Sequence, residues 1–242
     1  MTQNIYDNEN FFSAYAGLSR SVHGLDGAPE WPKLKAMLPD LKGAGVIDLG
    51  CGYGWFCRYA REQGAARVTG VDVSRKMLAK AEEMTDDSGI SYQVADLETL
   101  ALVEDAYDLV YSSLTLHYIV QLPELIERIY RSLVPGGAFV FSAEHPIYTG
   151  PSHPDWTTDA DGRKSWPVND YQKEGKRVRN WLADGVVKQH RTLGTYINLL
   201  VEKGFTIRHL DEWGPTAEQI AAFPALDEEK ERPMIFLMSV TK

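Results

Sequence analysis

Apolar residues recur along this chain in short runs separated by amphipathic stretches, and that alternation carries the fold expectation. Val46-Ile47-Asp48-Leu49 is a β-prone run that stops at Gly50-Cys51-Gly52-Tyr53-Gly54. Three glycines at alternate positions give a tight turn without Cβ atoms, and the following residues, Trp55 to Glu62, have helical character. Further strands are predicted at 67–72, 90–94, 107–112 and 138–142. Between them lie a helix over 54–63, one capped by Ser74 that carries Met77, Leu78 and Ala81, and one over 122–133. Pro135-Gly136-Gly137 breaks the last of these before strand five. Leu193, Tyr196, Ile197, Leu199 and Leu200 mark a helix ending at Gly204, followed by strands at 205–210 and 234–240. Repeated strand–helix alternation predicts a parallel α/β sheet, doubly wound with helices on both faces.

Two stretches interrupt this rhythm. In residues 1–43, Phe11, Phe12, Tyr15 and Leu18 fall at helical spacing, and Pro32 to Leu38 predicts a second helix. This arm is expected to pack on the sheet edge or to cover the cleft at the strand ends. In residues 146–191, Pro146, Pro151, Pro154 and Pro167 disrupt regular structure among Tyr148, Trp156, Trp166, Tyr171 and Trp181. A hairpin is predicted across 177–189, around Asp184-Gly185. Because the insertion follows strand five, it should lie over the carboxyl edge of the sheet as a substrate lid. The division expected is an arm at 1–43 and a catalytic domain at 44–242. The charged run Asp227 to Arg232 reads as a solvated face.

Composition narrows the function. A net charge of −9 and a pI near 5.2 argue against sequence-blind nucleic-acid binding and against docking on an anionic membrane. Residues 163–191 nevertheless hold eight Lys/Arg against three acids, which keeps an RNA-modifying alternative open. Met1 to Asp7 has neither a basic nor an apolar leader region, and no apolar run approaches membrane-spanning length. Two cysteines, Cys51 and Cys57, are too few for a disulfide framework or a structural zinc site. A cytoplasmic monomer or homodimer acting on a small molecule is expected.

The glycine turn carries the chemistry. A strand, a glycine turn and a helix N-terminus form a nucleotide-type pocket, but the dinucleotide fingerprint fails because its third glycine would fall on Trp55. Instead Asp48 stands two residues before Gly50, and Asp72 ends the second strand 22 residues after it. This pattern resembles the first motif of class I S-adenosylmethionine (SAM)-dependent methyltransferases, of the small-molecule type similar to the ubiquinone/menaquinone-biosynthesis methyltransferase domain. Asp96 after strand three, Tyr107-Asp108-Leu109-Val110 in strand four and Leu133-Val134-Pro135-Gly136-Gly137 before strand five extend the resemblance. It covers residues 44–145 firmly and 192–242 loosely.

The resemblance implies a Rossmann-like seven-stranded sheet, mostly parallel, with an antiparallel last strand between strands five and six. It implies SAM as cofactor, S-adenosylhomocysteine as product, and no metal. Gly50, Gly52 and Gly54 would cradle the methionine part, with Cys51, Val73 and Ser112 completing the cofactor set. Asp72 would take the ribose hydroxyls, Met77 and Leu97 would flank the adenine, and Asp96 would bind its amino group. Asp48 would orient the glycine loop or the α-amino group, and Arg20 of the arm would reach the carboxylate. A non-catalytic SAM-binding module is a further alternative.

The substrate side is thinner, because direct displacement at a methyl carbon mainly requires alignment and exclusion of water. Ser112-Ser113-Leu114-Thr115 stand where amide- and adenine-methylating families carry Asn/Asp-Pro-Pro-Tyr. His117 after strand four and His145 after strand five are the candidate bases. Tyr15, Tyr148 and Trp181 are candidate substrate contacts, and His190-Arg191 could hold an anionic group.

Overall fold

The computed structural model describes residues 3–242; Met1 and Thr2 of the arm and leader readings lie outside the described residues. The apolar runs fold as β1 (Gly45–Leu49), β2 (Arg67–Asp72), β3 (Ile90–Val94), β4 (Tyr107–Ser113) and β5 (Leu133–Glu144). In the second half come β10 (Thr206–Glu212) and β11 (Ile235–Thr241), preceded by four lid strands given below. These seven strands form one sheet in the order β10-β11-β5-β4-β1-β2-β3. The pairs from β5 to β3 are parallel, while β11 runs antiparallel to both β5 and β10. β1 is buried at every position, as expected of a central strand covered on both faces.

Helices cover both faces because each offers one apolar stripe. α6 (Leu122–Ser132) buries Leu122, Leu125, Ile126 and Ile129 against Phe139, Phe141 and Phe236 of the sheet. On the opposite face α4 (Trp55–Glu62) buries Phe56, Cys57 and Ala60 beside Val46, Leu109 and Val140. α5 (Arg75–Glu83) starts where Ser74 Oγ accepts the Met77 N–H at 3.1 Å. The arm supplies α1 (Glu9–Ala16), α2 (Ser19–Val22) and α3 (Trp31–Ala36), and Trp31 and Leu34 join the α4-side core.

Pro135-Gly136-Gly137 does not separate helix from strand. Its residues enter β5 as an irregularity, across which the pairing with β4 jumps from Tyr107–Leu133 to Leu109–Ala138.

The insertion holds α7 (Pro146–Thr149), the short pair β6 (Thr157–Thr158) and β7 (Lys164–Ser165), and the hairpin β8 (Gly175–Trp181) with β9 (Ala183–His190). The chain reverses at Leu182, whose φ is 56°, and not at Asp184-Gly185. The Asp-Gly pair instead falls within β9, where Gly185 N–H donates to Asn180 Oδ1 at 3.2 Å. α8 (Leu193–Glu202) and α9 (Ala217–Ala222) complete the chain.

The run Asp227 to Arg232 is only partly a solvated face. Arg232 Nη1 pairs with Glu229 Oε2 at 2.7 Å, both side chains below a tenth exposed. The guanidinium lies 4.1 Å from the Trp166 ring centroid and 4.8 Å from that of Tyr148, so the lid aromatics close over it. A planar cation can be buried there because Glu229 neutralises it while the rings pack its faces. Arg232→Ala would leave Glu229 buried and unpaired, an expected cost of about 3 kcal/mol in denaturant unfolding. Limited proteolysis within 146–174 should accelerate in the same variant.

Candidate active site

The glycine turn after β1 forces three backbone residues into the left-handed region, with φ of 83° at Gly50, 54° at Gly52 and 70° at Gly54. At Gly50 a Cβ would lie 2.1 Å from Thr115 Oγ1, so that position requires glycine twice over. At Gly52 a Cβ would meet nothing within 4 Å, and the turn presents bare backbone to the cavity above it. Asp72 holds the turn in place. Its Oδ2 accepts the Gly52 N–H and its Oδ1 the Ser74 N–H, both at 2.9 Å. Burial raises the Asp72 pKa against the pull of these backbone donors. Asp48 below the turn is 2% exposed, and burial carries it up to about 8 against the Cys57 thiol at 3.6 Å. It is therefore largely protonated at neutral pH and adds little charge beside Asp72.

Above the turn is a cavity of about 420 Å³, a size suited to a nucleoside-sized molecule. Gly50, Gly52, Asp72 and Val73 form its floor, and Met77, Asp96 and Leu97 form one end. A smaller cavity of about 100 Å³ shares Tyr15, Arg20, Gly50 and Gly52 with it and reaches Asp48 and Cys51. The roof is aromatic. Phe11 of α1 meets Trp181 of β8 edge to face at 5.5 Å, and the Tyr6 hydroxyl lies 3.3 Å from that of Tyr118. Gln3 joins arm to hairpin by donating to Gly185 O at 2.9 Å and accepting Val187 N–H at 2.8 Å. The bare glycine backbone, two carboxylates and apolar flanks are a donor and acceptor set that fits an adenosine-containing cofactor.

Opposite the turn stands a polar group of a different kind. Glu144, the last residue of β5, points into the same cavity, and its Oε1 pairs with the Lys188 ammonium of β9. Its Oε2 is buried and finds no hydrogen-bond partner among the described residues. Burial pushes this carboxyl up, but the opposing pull of neighbouring positive charge, with Lys188 and Arg179 supplying it at neutral pH, leaves it below the ordinary glutamate value, so it is ionised there. His117 is 2% exposed, and burial lowers its ring to about 4. Its Nδ1 accepts the Glu144 backbone N–H at 3.3 Å, which assigns the proton of the neutral ring to Nε2, 4.0 Å from Glu144 Oε1.

The tertiary structure gathers His117, Asp72, Val73, Met77, Asp96, Leu97, Gly50 and Gly52 around one space, with Tyr15, Arg20, Tyr148 and Trp181 at its edges. Arg20 is also paired with Glu30 at 3.0 Å. Other candidates lie elsewhere. The Ser112 hydroxyl is fully buried and donates to Leu49 O at 2.8 Å; the neighbouring Ser113 lines the cavity instead, because side chains alternate along β4. Gly54 caps α4 under the Tyr92 hydroxyl and does not line the cavity.

His145 caps α7 through Nδ1, while its Nε2 meets Glu212 Oε1 at 2.8 Å, so both ring nitrogens are occupied away from the cavity. His190 is held between Thr149 Oγ1 and Tyr171 O, both at 2.8 Å, under the lid. Arg191 donates to the carbonyls of Ile119 and Val120. The two buried rings bind their own surroundings because burial leaves them no solvent to turn to, while the half-buried Arg191 is tied to backbone carbonyls. Glu144, Lys188, Tyr6 and Tyr118 were not singled out from sequence. The available signal was an acid closing an otherwise apolar buried strand at the carboxyl edge, in Phe141-Ser142-Ala143-Glu144.

A glycine turn, two strand-end acids and an enclosed cavity on this sheet order define an α/β enzyme of the nucleoside-cofactor class. A family model described as a methyltransferase domain matches residues 47–141. An S-adenosylmethionine-dependent methyltransferase of known structure from Mesorhizobium loti is 53% identical, with a TM-score of 0.88, covering 90% of this chain and all of that one. A Listeria monocytogenes structure is 42% identical, with a TM-score of 0.82, covering 89% of this chain and 98% of that one. Malonyl-[acyl-carrier protein] O-methyltransferase of Pectobacterium atrosepticum is 37% identical over 110 residues; the match spans 46% of this chain and 42% of that relative. The chain belongs to the SAM-dependent methyltransferases, and SAM is its cofactor.

The environment of His117 makes a pH-dependent prediction. Its folded-state pKa of about 4 lies below the ordinary value near 6.5, so between these pH values the unfolded chain binds more protons. Stability should therefore fall as pH drops through this window, by roughly 3 kcal/mol from this group alone. In urea unfolding at pH 7 and pH 4.5, His117→Asn should show the smaller loss. Equal losses in the two proteins would remove His117 as the cause.

Proposed function

We propose that this enzyme methylates an oxygen, nitrogen or carbon nucleophile of a small metabolite by direct displacement, with Glu144 facing the accepting group. One observation carries the reading. The cavity that holds the glycine turn and Asp72 at one side holds an ionised carboxylate with an unpartnered Oε2 at the other. SAM supplies an electrophilic methyl group on a sulfonium. On this reading Gly52 offers backbone to its methionine part and Asp72 accepts from its ribose hydroxyls. Met77 and Leu97 flank the adenine, while Asp96 meets its amino group. Arg20, with Asp48 beneath the turn, faces the amino-acid end.

Glu144 Oε2 accepts the proton of the attacking hydroxyl or amine, or fixes its orientation by accepting that hydrogen bond. Lys188 keeps Glu144 ionised, and His117 presents Nε2–H beside it as a donor. This reverses the role expected of His117 as a base, since its accepting nitrogen already binds the Glu144 backbone. The aromatic roof of Tyr6, Tyr118 and Trp181, backed by Phe11, keeps water from the transfer. The O-methyltransferase relative supports an oxygen acceptor. The enclosed roof favours a small molecule over RNA, and Arg177 and Arg179 share the inward side of the hairpin with Trp181, so they do not form an exposed basic stripe.

Incubation with labelled SAM and a metabolite extract, followed by identification of the labelled product, tests the reaction. Labelling of tRNA or rRNA alone would overturn it. Once a substrate is known, Glu144→Gln should lower turnover about 10²–10⁴-fold and leave SAM affinity nearly unchanged, with His117→Asn the milder variant. Asp72→Ala should weaken SAM binding by roughly 2–3 kcal/mol in calorimetry. Undiminished affinity in that variant would remove Asp72 from the cofactor site.

A further inference from the structure

A second cavity, of about 370 Å³, opens beneath the hairpin and shares Glu144, Tyr148 and Trp181 with the space around the glycine turn, while Lys188 lines the second cavity. Its character follows from strand alternation. In β8, Arg177, Arg179 and Trp181 project to one side, while Lys176, Val178 and Asn180 are exposed on the other. Arg177 sits directly opposite Lys188 of β9. Three cations therefore converge on one half-buried surface, where charge is costly unless something compensates it.

Only one of the three has a close ion-pair partner; Glu144 acts on Arg179, and Asp170 on Arg177, from beyond ion-pair distance. Lys188 pairs with Glu144, whereas neither Arg177 nor Arg179 forms an ion pair among the described residues. Their guanidinium groups are fixed by carbonyls: Arg179 Nη2 donates to Thr149 O at 2.9 Å and to Pro151 O at 2.5 Å. Arg177 donates to Gly150 O at 3.3 Å and to Asp170 O at 3.2 Å. Carbonyl oxygens satisfy N–H donors and hold the side chains rigid, but they carry no net charge to cancel the cations. The two guanidinium groups also oppose each other; burial and then the nearby Arg177 lower the Arg179 pKa. The one other acid on the cavity wall, Asp155, is exposed at its rim.

We infer that this second cavity is a subsite for an anionic group of the methyl acceptor, a carboxylate or a phosphate, held by Arg177 and Arg179. The inference rests on the small-molecule reading above and deepens it. The acceptor is a small acid whose nucleophile lies at Glu144 while its charged end lies under the hairpin. The carbonyls leave Arg179 its Nε hydrogen and one on Nη1, and leave Arg177 one on Nη1, so the fixed guanidinium groups offer an oxyanion these donors and two positive charges. Anchoring the far end of the molecule there aligns the near end with the methyl group. Glu144 lines both spaces, and in the second its carboxylate is paired with the Lys188 ammonium, so the cations on that wall, Arg177, Arg179 and Lys188, outnumber it.

The test uses the full chain with S-adenosylhomocysteine bound, titrated with succinate and, separately, with inorganic phosphate, and read by tryptophan fluorescence and calorimetry. Saturable binding of at least one anion is expected, and which one binds distinguishes a carboxylate from a phosphate acceptor. The double variant Arg177→Gln/Arg179→Gln should weaken that binding at least about tenfold, equivalent to 1.4 kcal/mol. Lys176→Gln makes a similar charge change on the outer side of the hairpin and should leave the binding unchanged. Because the arginines also brace the lid, Ser152→Asp provides a second variant: it keeps both arginines, adds a negative charge at the cavity wall, and should also weaken the anion. Wild-type anion affinity in both the arginine and the Ser152 variants, or binding of neither anion by the wild type, overturns the subsite. Affinity for S-adenosylhomocysteine is measured in every protein. If it is retained while the anion site fails, the cofactor reading stands alone; if the wild type does not bind it, that reading fails and the anion titrations are judged by the same criteria on the ligand-free protein.

Discussion

The buried ion pair between Glu144 and Lys188 joins the two halves of this enzyme. Glu144 ends a central strand of the sheet, and Lys188 belongs to a hairpin inserted more than thirty residues later. A charge on either side alone would be a heavy burden in so dry a place, and each is tolerable because the other is there. The pair therefore fixes where the hairpin sits over the strand ends. Trp181 follows, because the hairpin carries it to meet Phe11, and the arm follows Trp181. The lysine also lies 5.0 Å from the Trp181 ring and 5.9 Å from that of Tyr118, so the same ammonium anchors the roof.

On the other side of the cavity the organising constraint is steric and conformational. The turn between β1 and α4 passes so close to Thr115 that Gly50 has no room for a side chain, and Asp72 stitches the turn to the next strand through one backbone hydrogen bond. Carboxylates that accept backbone N–H groups in this way keep lone pairs directed outward, toward a diol or an amine. The site thus combines a rigid, backbone-built floor with a roof assembled from distant aromatic residues. The floor suits a cofactor used in every cycle. The roof is made of separate segments, arm and hairpin, held together by side-chain contacts such as those of Gln3, and it is the part suited to opening.

Much of this was legible in the residues. The strands, the helices and the glycine turn announced themselves because each is governed by neighbours within a few positions: period, caps and backbone freedom. Asp72 and Asp96 were visible for the same reason, since an acid that ends a strand must lie at the carboxyl edge. Family resemblance added the antiparallel last strand, which local patterns do not encode. What the local signals misjudged was orientation. Ser112 and Ser113 are adjacent and chemically identical, yet only the second faces the cavity. The Asp-Gly pair suggested the hairpin turn, but the register of β8 on β9 put the reversal at Leu182.

Charge was the least legible property. Arg232 and Glu229 looked like part of a solvated run, but the lid folds back onto them. His145, His190 and Arg191 looked like free functional groups until their partners at Glu212, Thr149 and Ile119 came into view. The sequence by itself determined the strands and helices, the glycine turn and the acids near the strand ends, because these depend on short-range periodicity and on glycine's backbone freedom. Only the tertiary structure decided which titratable groups share the cavity. Glu144, His117 and Lys188 come from three segments far apart in the chain, and whether a charged side chain meets water, a partner or a substrate depends on what the fold packs against it.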